Sequence, residues 1–161
     1  MTDIEQRLAR LEAIEEIRAL KAHYAEFADA KYTPAHRKKS GPELEAVVKQ
    51  QVDCFTEDVE WDAGALGILR GRTALAESFA GKPFWFTLHS YSNPVIEVNG
   101  DEASGRWLHW LLLTEQDTAR PVHLMGYTFD RYRRVDGKWL ISHMKLEVKF
   151  ETAFGEPWTK A

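Results

Sequence analysis

Two dipeptides in the second half of the chain, Asn99-Gly100 and Asp136-Gly137, constrain the fold more than any other feature. A type I′ turn needs positive φ at both central residues, and Asn-Gly and Asp-Gly supply it, so each pair marks a tight hairpin. Around them the pattern from Trp85 onward is β. Strands are expected over roughly 85–98, 104–115, 122–134 and 138–150, with a longer loop at 116–121 between the middle two. Four strands joined this way form an antiparallel meander, and its apolar face must be covered by something.

The first half supplies the cover. Thr2-Asp3-Ile4-Glu5 is a capping box, in which the Thr and Glu side chains satisfy each other's free backbone N–H groups. Ile4, Leu8, Leu11, Ile14, Ile17, Leu20, Tyr24 and Phe27 then recur at three- and four-residue steps, the stripe of a long amphipathic helix. It should stop between Asp29 and Thr33, because Pro34 disfavours helix just before it. Ser40-Gly41-Pro42-Glu43 is expected to cap a second helix whose face carries Leu44, Val47, Val48, Gln51 and Phe55. A short strand over 59–62 and a short helix from Thr73 to Phe79 follow. Helices first and a meander afterwards give an α+β fold of one domain over 1–161, with helices on one sheet face.

The last hairpin predicts a register. If Asp136-Gly137 is a two-residue turn, Val135 faces Lys138, His123 faces Phe150, Tyr127 faces Leu146 and Phe129 faces Met144. Those residues, with Met125 and Val148, form one apolar face expected to look inward. Asp130, His143, Lys145, Glu147 and Lys149 would look outward. A bulge would invert this assignment.

Composition excludes several function classes. The formal net charge is −4, and the densest basic run, His36 to Lys39, is short and flanked by Pro34 and Pro42. Nucleic acid is therefore not the expected partner, because phosphate binding needs a concentrated basic face. No apolar run is long enough to span a bilayer and no signal peptide is visible, so the cytoplasm is the expected location. Cys54 is the only cysteine, so no internal disulfide can form; its place on an apolar stripe makes it a small buried hydrophobe. Glycine-rich nucleotide loops, a GxSxG elbow and the paired-His spacings of metal helices are all missing. Cofactors and metals are accordingly not expected.

General acid–base chemistry by a His and a carboxylate is what the residues leave. Imidazole is the side chain that both takes and returns a proton near neutral pH. His89 lies on a strand among aromatics, and Asp29 lies at the end of the first helix. The residues alone do not separate a catalytic His89 from a core histidine, nor a functional Asp29 from a solvated one.

A resemblance carries the reading further. Ile14 to Ala30 with Tyr24 and Asp29, then Phe55-Thr56-Glu57-Asp58-Val59-Glu60-Trp61, Gly71-Arg72-Thr73-Ala74, the strand of His89, and Gly126-Tyr127 to Trp139 resemble, in order and spacing, the SnoaL-like proteins of the nuclear transport factor 2-like superfamily. That resemblance implies a cone fold with N-terminal helices packed on a curved antiparallel sheet. The most similar members are cofactor-free lyases: scytalone dehydratase, bile acid 7α-dehydratase and hexachlorocyclohexane dehydrochlorinase. In them an Asp at the end of the first helix holds a strand His that removes a proton as a leaving group departs. Asp29 and His89 match those positions, and Tyr24 matches a substrate-contacting Tyr.

The resemblance thus implies a dehydratase-type lyase, or a retro-aldol enzyme, acting on a hydrophobic ring-containing molecule in aromatic compound catabolism. Trp107, His109, His123, Tyr127, Phe129 and Met144 would bind the substrate, with His109 or Tyr24 donating to the oxygen that gains charge. It also implies a homo-oligomer, dimer or trimer. The superfamily equally holds polyketide cyclases, isomerases, hydrolases and non-catalytic ligand-binding domains. One departure stands out: where the bacterial lyases carry a last-strand Arg, this chain offers Lys145 and Lys149. The connection over 31–45 is also long, and is expected to fold over the pocket mouth.

Overall fold

The structure, a computed structural model, describes residues 2–64 and 67–154. Three helices, α1 (Asp3–Asp29), α2 (Gly41–Val52) and α3 (Gly71–Gly81), pack on a six-stranded sheet. Its strands are β1 (Phe55–Asp62), β2 (Ile68–Arg70), β3 (Phe84–Asn99), β4 (Glu102–Glu115), β5 (Pro121–Val135) and β6 (Lys138–Ala153), in the order β2-β1-β6-β5-β4-β3. The last four form the expected antiparallel meander. The sheet as a whole is mixed, because β1 pairs parallel to β6. This is the cone architecture.

The capping box on α1 forms as read, with Thr2 accepting from the Glu5 N–H and Glu5 accepting from the Thr2 N–H. Ser40 starts α2 without a side-chain capping bond, against expectation. The second helix is also shorter than its stripe suggested. It stops at Val52, so Cys54 lies in the turn beyond it and Phe55 opens β1. Cys54 is buried all the same, and burial pushes its thiol up to about 12.

The buried ladder of α1 differs from the apolar stripe. Ala13, Ile17, Lys21, Tyr24 and Ala28 face the sheet, whereas Ile4, Leu8 and Leu11 are exposed. The helix runs past the sheet at its N-terminal end, so only its later turns have something to pack on. The main core joins those turns to Val48, Phe55, Val59, Leu75, Phe79, Trp107, Tyr132, Ile141 and Met144.

The predicted register holds only next to the turn. Val135 pairs with Lys138 and Tyr132 with Ile141, but an irregularity then sets Arg131 opposite His143 and Phe129 opposite Lys145. A second one sets Met125 opposite Phe150 and Gly126 opposite Val148. Ser142 is the extra residue at the first bulge, and a one-residue slip moves side chains to the other face. The inner face of β6 therefore changes from Trp139 and Ile141 to Met144, while β5 alternates unbroken with Val122, Leu124, Thr128, Asp130 and Tyr132 inward. His123, Tyr127 and Phe129 lie on the outer face, and Asp130, expected outside, is inside. Val148 is inside as expected, and Met125 outside.

Gly126 shows why glycine is required at the second bulge. A Cβ there would come within 2.2 Å of the Glu147 carbonyl oxygen, a backbone atom that cannot move aside alone.

Candidate functional site

The helices and the inner sheet face enclose a cavity of about 390 Å³. That is the small end of the range for small-molecule sites. Its apolar wall includes Ala28, Trp61, Phe79, Leu113, Leu124 and Met144.

Asp29 and His89 meet beside this cavity, which His89 lines. The last residue of α1 points its carboxylate across to β3, where it makes three bonds. Oδ1 lies 2.6 Å from His89 Nδ1 and accepts from the Thr87 hydroxyl at 2.9 Å. Oδ2 accepts the His89 backbone N–H at 2.8 Å. A carboxylate only accepts, so Nδ1 carries a proton in this pair, and in the neutral imidazole Nε2 is the bare nitrogen. Both side chains keep limited access, 15% for His89 and 20% for Asp29, so the pair is sheltered and still reachable. Among the described residues no protein group bonds to Nε2.

His109 and Tyr91, opposite one another on β4 and β3, stack beside the dyad. Their rings are 4.7 Å apart and nearly parallel, and the His89 ring is 5.6 Å from that of His109. Burial, reinforced by the neighbouring His89 and Lys21 charges, drives the His109 pKa down to about 2. His109 is therefore a neutral imidazole across the working pH range. Tyr24 packs edge-to-face on Phe55 at 5.4 Å, and burial holds its phenol well above the ordinary value, so it remains a protonated donor.

Several polar atoms in the cavity wall lack partners among the described residues: the Tyr32 hydroxyl, Gln51 Oε1, Trp61 Nε1 and both His109 ring nitrogens. Buried polar groups are normally satisfied, so a cluster of unsatisfied ones around one cavity marks where something else binds.

Beneath the stack lies a polar spine. Lys21, fully buried, donates to Asp130 Oδ2 at 2.7 Å and to the Thr128 hydroxyl at 3.1 Å, and its Nζ sits 4.1 Å from the centre of the Tyr91 ring. Tyr132 donates to the same Asp130 oxygen at 2.7 Å, and Trp107 Nε1 donates to Tyr132 at 2.9 Å. Burial pulls the Lys21 ammonium down while Asp130 pulls it back.

Of the residues the sequence suggested, Asp29, His89, Tyr24, His109 and Met144 converge on or beside the cavity. Trp107 points inward but belongs to the spine. His123, Tyr127 and Phe129 stand on the outer face, because β5 alternates unbroken with its even-numbered residues inward. Lys145 also points outward, opposite Phe129, so it does not stand in for the last-strand Arg. The 31–45 connection borders the cavity at its start. Lys31 and Tyr32 line it, His36 stacks on Phe86 at 4.5 Å, and Lys38 bonds to the carbonyls of Ala80 and Lys82. Sequence reasoning missed Lys21, Lys31, Gln51 and Tyr91. For Lys21 a signal existed, since residues 13, 17, 21, 24 and 28 follow helical spacing. Among the described residues, no three His, Cys, Asp or Glu side chains gather as a metal group.

With this geometry in place, comparisons with known proteins locate the chain. A family model described as a SnoaL-like domain matches residues 45–145. The fold is shared with a candidate scytalone dehydratase from Novosphingobium aromaticivorans, at 22% identity over 94% of this chain and 96% of that one, with a TM-score of 0.75. It is shared equally with a hexachlorocyclohexane dehydrochlorinase from Novosphingobium barchaimii, at 15% identity over 99% and 100%, TM-score 0.78. A Mycobacterium tuberculosis protein of unknown function, solved as a variant with one Asp replaced by Asn, matches at 24% identity over 87% and 78%, TM-score 0.70. No curated protein matches the chain by sequence.

Proposed function

The chain belongs to the SnoaL-like domain family, and from that premise we propose that it is a lyase that removes a proton from a hydrophobic ring-containing molecule and expels a leaving group, without a cofactor. One observation carries the reading. Asp29 grips His89 at both Nδ1 and the backbone N–H, and His89 lines the cavity. A histidine needed only for packing has no use for a carboxylate spent on fixing its tautomer.

The chemistry follows from the arrangement. His89 Nε2 takes a proton from carbon next to a carbonyl or activated ring, and Asp29 stabilises the imidazolium that forms. Negative charge then develops on an oxygen of the substrate. Tyr24 and neutral His109 supply donors for it, and a departing hydroxyl leaves with its bonding electrons, taking the proton held on His89 Nε2 to become water and restoring the base. The dehydratase and dehydrochlorinase with the same fold support an elimination, while retro-aldol cleavage would use the same base.

The whole chain is read as one domain acting in aromatic compound catabolism in the cytoplasm; no described helix is long and apolar enough to cross a membrane. Leu88, Trp110, Phe129 and Phe150 are exposed on the outer sheet face and support self-association as a dimer or trimer.

The test is proton exchange. In D2O the protein should accelerate deuterium incorporation into 2-tetralone, a bicyclic ketone with protons next to its carbonyl. His89→Ala should lose that acceleration by about 10²–10⁴-fold, the usual worth of a general base. Exchange that persists unchanged in His89→Ala contradicts the proposal. Ligand binding without exchange would favour a binding domain instead.

A further inference from the structure

Two lysines line the cavity with no ion-pair partner among the described residues. Lys31, just past α1, is 4% exposed, and its Nζ lies 5.2 Å from the centre of the Phe79 ring. Lys82, just past α3, holds its Nζ 5.4 Å from the Trp61 ring. Phe79 and Trp61 themselves pack edge-to-face at 5.6 Å, so the two ammonium groups flank one aromatic pair. Both lysines line the cavity. Among the described residues neither forms an ion pair or a side-chain hydrogen bond.

The charged groups nearby are engaged elsewhere. Lys38 is held by two carbonyls, Asp29 by His89 and Thr87, and Glu115 by Arg120 and Thr118. Glu151 lines the cavity from β6 but is exposed. A buried cation without a counter-ion is costly. The cost is visible: burial first, then Lys38 and Lys82, bring the Lys31 pKa down to about 7, against the opposing pull of Asp29.

We propose that Lys31 and Lys82 form an anion subsite, and that the substrate carries a carboxylate on its ring system that seats between them. This rests on the lyase reading and names its substrate class. Two separate ammonium groups, with no arginine fork beside them, suit a singly charged carboxylate. Anchored there, it would hold the ring against Phe79 and Trp61 and set which carbon faces His89.

The probes are 2-naphthoate and its neutral counterpart 2-naphthamide, titrated calorimetrically into the full chain. Naphthoate should bind about tenfold more tightly, as a charge-assisted contact requires. Lys31→Met, or Lys31→Gln should Met impair folding, removes the preference while leaving naphthamide binding unchanged. Near pH 8 the wild type should take up a proton on binding naphthoate, seen as a dependence of heat on buffer ionisation enthalpy. Equal affinity for the two probes, absent proton uptake, or equal loss of both probes in the variants would overturn the subsite. His89→Ala should keep the naphthoate preference. Ketone exchange by the wild type without that preference sinks the subsite alone; the preference without exchange sinks the lyase reading alone.

Discussion

Replacing Lys21 by Met should be among the most destabilising single changes in this protein. The ammonium group and Asp130 lie 2.7 Å apart with side chains 1% and 0% exposed, so no water can take over when one is removed. The orphaned carboxylate keeps only the Tyr132 hydroxyl, since its other oxygen has no hydrogen-bond partner among the described residues even now. Breaking a buried pair from one side costs about 3–5 kcal/mol. For a chain this long each kcal/mol shifts Tm by roughly 2–4 °C, so calorimetry should show a fall of about 6–20 °C. The partner substitution separates pair from packing. Lys21→Met combined with Asp130→Leu removes both charges and should recover most of the loss, because a buried pair replaced by apolar groups is often neutral. A Tm within about 2 °C of wild type for Lys21→Met alone would refute the argument, as would a double variant no better than the single.

Acid sensitivity should come partly from His109. Its pKa drops from 6.5 to about 2 on folding, so between those values the unfolded chain binds the extra proton and stability falls as pH falls. Urea unfolding of His109→Gln should show a shallower decline from pH 6.5 to 4 than wild type, and an equal decline would be the contrary result. Gly126→Ala should force the β5–β6 pair apart, because the new Cβ meets a backbone carbonyl at 2.2 Å. A loss of about 3 kcal/mol, the upper end for overpacking, is expected from the denaturation midpoint, and a change under about 0.5 kcal/mol would disprove the close approach.

Periodicity and turn chemistry made the meander, all three helices and the α1 cap legible, because each depends on neighbours in the chain. The parallel seating of β1 on β6 has no local signal. The bulge at Ser142 has none either, and it turned Met144 to the inner face opposite Asp130, while Tyr127 and Phe129 stayed on the outer face of an uninterrupted β5. Family likeness pointed to Asp29 and His89, which lie 60 residues apart and show nothing in common by periodicity. The charged half of the cavity stayed hidden for a different reason. A lysine is read as solvated unless a partner is known, and the partner of Lys21 is 109 residues away. Lys31 has no counter-ion among the described residues.

Everything proposed about chemistry depends on the tautomer of His89. Long-range ¹H–¹⁵N correlation of the imidazole, in wild type and in Asp29→Asn, reads it directly. Neutral His89 should carry its proton on Nδ1 with Nε2 bare, and that preference should weaken when Asp29 loses its carboxylate. A wild-type His89 protonated on Nε2, or a ring indifferent to Asp29, would contradict the dyad and the reaction built on it.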